Sequence, residues 1–164
     1  MVNCEVRYKR TKRIPIGAIH NLFLRNGWKD WHTRRETEQY IARALFIATA
    51  WSGQKAIGIG TLYGDGLFTT SVETLLVDRE FQRRGIGTTL LKMLLAKVEG
   101  FHPYSLTTDV HLRHAERLYA RFGFKRHKAS VFLDHVPTAN RFIALVRQRR
   151  VSRKLRANRS GQRR

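Results

Sequence analysis

Apolar positions fall into blocks whose spacing changes along the chain, and the spacing predicts the elements. Residues 5–9 alternate as a first strand. Ile16, Ile19, Leu22 and Phe23 recur at helical spacing, with Pro15 at a first-turn position and Asn26-Gly27 as the stop. Trp28 and Trp31 stand in a polar loop. Thr33 is placed to cap a second helix whose face is Thr37, Tyr40, Ile41, Ala44 and Leu45. Three β-like runs follow at 45–51, 56–63 and 67–77, joined by the turns 52–55 and 64–66, which predicts an antiparallel meander. Leu90, Leu91, Leu94, Leu95 and Val98 then form a helical stripe ending near Glu99. Residues 104–110 read as a strand returning parallel, and 111–122 as a helix with Ala115, Leu118, Tyr119 and Phe122 on one face and Gly123 as its cap. Two short strands, near 124–126 and 142–147, close the domain.

The chemistry concentrates between the third meander strand and the leucine-rich helix. Leu75, Leu76 and Val77 lead into Gln82-Arg83-Arg84-Gly85-Ile86-Gly87-Thr88. Glycines let backbone amides approach an anion, and a helix N-terminus offers unpaired N–H groups and a positive dipole end. Two arginines add fixed charge. By itself this is a phosphate cradle in outline, or an ordinary basic turn.

The turn Gln82-Arg83-Arg84-Gly85-Ile86-Gly87 resembles the Q/R-x-x-G-x-G/A signature of the GNAT superfamily of acetyl-CoA-dependent N-acetyltransferases. Ala115-Glu116-Arg117-Leu118-Tyr119-Ala120-Arg121-Phe122-Gly123-Phe124 resembles the same family's A-x-x-x-Y-x-x-x-G-F element. The element order β-α-α-β-β-β-α-β-α-β-β is similar to that fold across residues 1–147. It implies an α/β (α+β) domain with a mixed, mostly antiparallel sheet flanked by helices. The family often has Asn where this chain has Leu112, a departure at the entry to the Tyr119 helix. The resemblance implies acetyl-CoA as cosubstrate, held by Leu75, Leu76, Val77 and the turn Gln82, Arg83, Arg84, Gly85, Ile86, Gly87 and Thr88. It implies Tyr119 as the acid that protonates the leaving thiolate, and an acceptor pocket covered by the first two helices and their loop; Trp28 and Trp31 are candidates to line it, with core packing the favoured reading for at least one of them.

Transfer to an amine needs a neutral nucleophile, a polarised carbonyl and a stabilised thiolate. Glu73 is the candidate base, because a carboxylate inside Val72–Val77 is unexpected. Strand alternation places it on one face with Leu75 and Val77. An exposed strand glutamate is an equally weighted reading. For Tyr119, spacing alone says core aromatic, and the motif tips the balance to proton donor. Backbone N–H groups near the strand end are candidates for polarising the carbonyl.

Composition adds limits. The 164 residues suit one domain, with no apolar run near the ~20 residues of a membrane helix. The single Cys4 excludes an internal disulfide, and with no apolar leader a cytoplasmic protein, monomer or homodimer, is expected. His111 and His114 have no third partner in sequence, so no metal is expected. Gly58-Ile59-Gly60 opens no helix and fails as a dinucleotide motif. The formal charge is +20, and residues 147–164 hold nine basic residues and no acid. The rest, residues 1–146, still carry 23 − 12 = +11. Residues 148–164 are expected to be a disordered basic tail that binds polyanions. Two rival classes remain: a nucleic-acid- or ribosome-associated protein, and a non-catalytic coenzyme A-binding regulator.

Overall fold

A computed structural model describes residues 5–28, 33–66, 69–98, 104–109, 113–126 and 142–147. Trp31, His111, Leu112 and the 148–164 tail lie outside them. The chain runs β1 (Val6–Lys9), α1 (Ile16–Arg25), α2 (Arg34–Arg43), β2 (Phe46–Ser52), β3 (Lys55–Gly64), β4 (Thr70–Val77), a single 3-10 turn (Arg79–Phe81), α3 (Ile86–Lys97), β5 (Tyr104–Asp109), α4 (Arg113–Arg121), β6 (Lys125–Arg126) and β7 (Phe142–Arg147). The strands form one sheet in the order β1-β2-β3-β4-β5-β7-β6. All pairings are antiparallel except β4 with β5. The expected mixed, mostly antiparallel sheet and its element order are both present.

Each face of the sheet has its own core. On one, α1 and α2 bury Ile19, Leu22, Phe23 and Ile41 against Ile47, Trp51 and Ile59. On the other, α3 buries Leu90, Leu91 and Leu94 against Ala48, Ile57, Leu62 and Val72. Gly58 and Gly60, which make no nucleotide motif, have a packing role. A Cβ on Gly60 would lie 2.9 Å from Leu94 Cδ1, and one on Gly58 3.0 Å from Leu90 Cδ1. Their bare backbones let α3 settle close to the sheet.

Local chemistry sets the helix ends. Thr33 Oγ1 accepts from Glu36 N–H at 3.2 Å, and Glu36 Oε2 accepts from Thr33 N–H at 2.6 Å, a reciprocal cap. Pro15 stands one residue earlier than expected, at the N-cap, with extended backbone. Leu45 departs from the expected helix face. Ala44 ends α2, and Leu45 is 39% exposed beyond it.

Asp78 ties α1 to the end of β4. It is 4% exposed and accepts from Arg25 Nε at 2.9 Å, with Lys55 Nζ 3.5 Å away. Burial pushes its carboxyl up, but the Arg25 hydrogen bond, the Glu80 N–H and the charges of Lys55 and Arg25 outweigh that and hold it below the usual range. A depressed folded pKa stabilises fully above the unfolded value of ~3.9, and the gain is lost as pH falls through the folded value. Asp78→Ala should cost about 1–3 kcal/mol in urea unfolding at neutral pH, below the usual figure for a buried pair because both cations are over a third exposed. Asp78→Asn should flatten the stability profile below about pH 4, and an unaltered acid limb would show that other carboxylates set it.

Candidate active site

The sheet opens where β4 and β5 part. They pair at Thr70↔Tyr104, Ser71↔Ser105 and Val72↔Leu106, and no pairing follows among the described residues. On its other side β4 stays paired to β3 as far as Val77↔Gly58, and Asp78 N–H donates to the Ile57 carbonyl at 2.9 Å. Backbone groups alternate along a strand, so those of Val77 and Leu75 point to the edge that β5 has left. Gln82 Nε2 marks that edge by donating to the Val77 carbonyl at 3.0 Å.

The turn after β4 is bent into a cradle. Arg83 has φ 60°, unusual for a residue with a side chain, and Gly85 has φ 78°. Such a backbone turns successive N–H groups inward. Gly85 caps α3 without a side chain, and Thr89 N–H is bonded back to the Gly85 carbonyl at 3.0 Å. The N–H groups of Ile86, Gly87 and Thr88 thus have no acceptor within the helix and lie at its positive end. A non-glycine residue held left-handed costs roughly 1–3 kcal/mol, and such strain concentrates at ligand clamps.

Turn, strand edge and α4 enclose one cleft of about 420 Å³. Leu75 and Val77 form its strand wall, Gln82, Arg83, Gly85, Ile86, Gly87 and Thr88 its floor, and Leu118, Tyr119 and Arg121 the α4 wall. Most of the residues proposed from sequence therefore come together. Leu76 does not, because it packs on the opposite face of the sheet. Nor does Arg84 line the cleft; its guanidinium lies 5.3 Å from the centre of the Phe81 ring.

Tyr119 is both core residue and cleft wall. It is 6% exposed, and its ring meets Phe124 edge-on at 6.0 Å. Burial pushes its phenol up to about 12, so it stays protonated at any ordinary pH.

Glu73 is elsewhere. The β3–β4 register shifts at Thr61/Leu62, opposite Glu73, and this bulge breaks the alternation assumed from sequence. Leu75 and Val77 pack toward α3, whereas Glu73 is exposed and accepts from Ser71 Oγ at 3.2 Å. Its charge bears on Tyr40 and Tyr63, on the side of α1 and α2. Both phenols are raised, chiefly by burial; Tyr63 is raised next by Tyr40, and Glu73 adds to both. Tyr40 Oη shares hydrogen bonds with Thr61 Oγ1 at 2.8 Å and Thr74 Oγ1 at 2.7 Å, and Tyr63 Oη donates to the Tyr40 carbonyl. Trp28 stacks on Phe23 at 5.1 Å in the same aromatic group, as a packing residue. Among the described residues no cluster of metal-ligating side chains occurs, and no helix is long and apolar enough to cross a membrane.

Sequence reasoning missed Tyr40, Tyr63 and Arg121. Tyr40 reads as one more apolar position of α2, and only the bulge brings it near Glu73. Arg121 has no apolar signal, and its place on the wall is seen only in the folded chain.

Comparison with solved structures places this arrangement in a known fold. A GNAT family acetyltransferase of Streptococcus pneumoniae superposes with TM-score 0.68 at 23% identity, over 80% of this chain and 100% of that one. A GNAT family acetyltransferase of Elizabethkingia anophelis, solved with acetyl-CoA bound, gives 0.63 at 20% identity, over 87% and 97%. The PaiA N-acetyltransferase of Thermoplasma acidophilum, solved with coenzyme A, gives 0.66 at 14% identity, over 88% and 99%. Comparison with curated proteins finds no match. The sequence profile of the Acetyltransferase (GNAT) family matches residues 16–124, from the start of α1 through the turn and cleft to Phe124, and the chain belongs to that family.

Proposed function

We propose that this protein transfers an acetyl group from acetyl-CoA to a primary amine of a small molecule or peptide, by direct attack while both are bound. The observation that carries the reading is the meeting, in one cleft, of a strained anion cradle, an unpaired strand edge and a buried phenol. The cradle suits a diphosphate, since N–H groups converge there beside Arg83. The edge at Leu75 and Val77 suits an extended chain with amides of its own, and Gln82 would release the Val77 carbonyl to it. Two structural neighbours were solved with coenzyme A or acetyl-CoA, which agrees with this use of the cleft. Acetyl-CoA brings the activated thioester.

Tyr119 donates a hydrogen bond to the departing sulfur. A phenol at about 12 is a weaker acid than a thiol at ~8.5, so it stabilises the thiolate without being lost to it first. N–H groups near the end of β4, beside Leu75 and Val77, polarise the carbonyl. Glu73 relays the amine proton through water, since it stands outside the cleft wall. The acceptor approaches from the α1/α2 side, where Glu73 is the nearby anion in a chain of net charge +20.

A panel of amines (amino acids, polyamines, arylalkylamines, peptides) assayed by release of free thiol, with mass spectrometry of the product, tests the reading. It expects an amine gaining one acetyl group, and acetylation confined to hydroxyl acceptors would refute it. Glu73→Gln should lower kcat/KM by on the order of 10²-fold near neutral pH. The loss should ease as pH approaches the ~10.4 of a lysine-like amine, where more acceptor is already neutral. A loss equal at every pH would mean Glu73 binds or positions instead.

A further inference from the structure

The chain's charge has a second centre, remote from the cleft. Between Glu5 and Arg13 stand Arg7, Lys9, Arg10, Lys12 and Arg13, all exposed. They occupy β1, which is an edge of the sheet, and the turn leading to α1. None of the five joins an ion pair among the described residues, where the ion pairs gather at Asp78 and Glu80. The backbone beneath them is fixed. Ile14 N–H donates to the Lys12 carbonyl at 3.0 Å, Arg13 N–H to Thr11 Oγ1 at 3.1 Å, and Ile14 is buried. Lys12 Nζ reaches the Ala42 carbonyl at the end of α2, and Lys9 Nζ lies 4.9 Å over the Trp51 ring. Tyr8, on the other face of β1 from Arg7 and Lys9, is 36% exposed, and only Leu45 shares that exposure among the large hydrophobic side chains of the described residues.

Cations on an edge strand guard against unwanted strand pairing. That accounts for Arg7 and Lys9 but not for three more cations beyond the strand, nor for an exposed ring on the strand's other face. Solubility does not require them either: a net charge of roughly 2–8 suffices for a small domain, and residues 1–146 alone carry 23 − 12 = +11. Exposed cations along β1 and the turn behind it match the phosphates of a nucleic acid strand lying along this edge, and Tyr8, which leaves β1 on the opposite face from Arg7 and Lys9, is placed to take a base turned over the edge.

We infer that the β1 edge and the turn behind it form a binding face for single-stranded nucleic acid. Arg7, Arg10 and Arg13 contact phosphates, and Tyr8 stacks a base. This face is independent of acetyl transfer, and it places the contact on the folded body in addition to the tail.

The test is a salt titration of full-length protein with labelled single-stranded oligouridine, followed by fluorescence anisotropy. Arg7, Arg10 and Arg13 are replaced together by alanine in one variant and by lysine in another, so the tail is common to all. The alanine variant should lose about 2 from the slope of log K against log salt, at ~0.7 per phosphate contact, and the lysine variant should keep it. Tyr8→Ala should weaken single-stranded binding about tenfold while leaving an RNA duplex unaffected. Coenzyme A stabilisation, which reports the cleft, should be unchanged in all three. Equal slopes for wild type and the alanine variant would overturn the inference and leave the tail as the sole attachment. Binding to phosphatidylserine vesicles but not to oligouridine would overturn it in favour of a membrane surface.

Discussion

Gly87→Leu should abolish coenzyme A binding in a protein that still folds. A Cβ at residue 87 would sit 3.6 Å from Val77 Cγ2 and 3.7 Å from Leu118 Cδ2, which is ordinary contact. Alanine therefore fits, and a longer side chain fills the space between strand edge and α4. Gly85 should respond in the opposite way. Nothing lies within 4 Å of its Cβ position, but its φ of 78° strains any L residue. Gly85→Ala should therefore weaken binding by disturbing the cradle, while Gly87→Ala is tolerated. A ligand at ~100 times its Kd stabilises by about 2.7 kcal/mol, a thermal shift of several degrees for a domain of this size. Wild type and Gly87→Ala should show it, Gly85→Ala less, and Gly87→Leu not at all. A full shift in Gly87→Leu would move the ligand out of this cleft.

Tyr119→Phe should separate chemistry from binding. The substitution keeps the ring against Phe124 and removes one hydroxyl, so stability and coenzyme A affinity should hold. Turnover should fall by ~10²–10³-fold, the usual worth of a hydrogen-bond donor aimed at developing negative charge. Because the phenol titrates only at about 12, the wild-type rate should show no limb from Tyr119 across the usual assay range. Normal turnover in Tyr119→Phe would make Tyr119 a core aromatic. No turnover in wild type with any amine, beside intact coenzyme A binding, would point to a regulator that has kept the fold.

Most of the fold was legible because its signals are local. The Thr33–Glu36 cap, the stripe from Leu90 to Leu95 and the Gly123 stop each lie within a few residues of what they control. The turn at Gln82–Thr88 and the wall at Tyr119 could be read because fixed spacings carry them. What sequence could not give depends on register. A single shift at Thr61/Leu62 moves Glu73 off the face of Leu75 and Val77, and no residue type announces it. For the same reason Leu76 could not be told from its neighbours as facing away from the cleft. Tyr40 and Tyr63 are far apart in sequence and meet at 5.0 Å only because α2 lies across β3. Gly58 and Gly60 looked like a failed motif, and their use is seen only against Leu90 and Leu94.

The most direct test of the central claim is a crystal structure of the protein with acetyl-CoA. The account predicts the diphosphate on the N–H groups between Arg83 and Thr88, the amide-bearing arm along the free edge at Leu75 and Val77, and the thioester sulfur within hydrogen-bond reach of Tyr119 Oη. Acetyl-CoA bound away from this cleft, or seated in it with the sulfur beyond the reach of Tyr119, would contradict it.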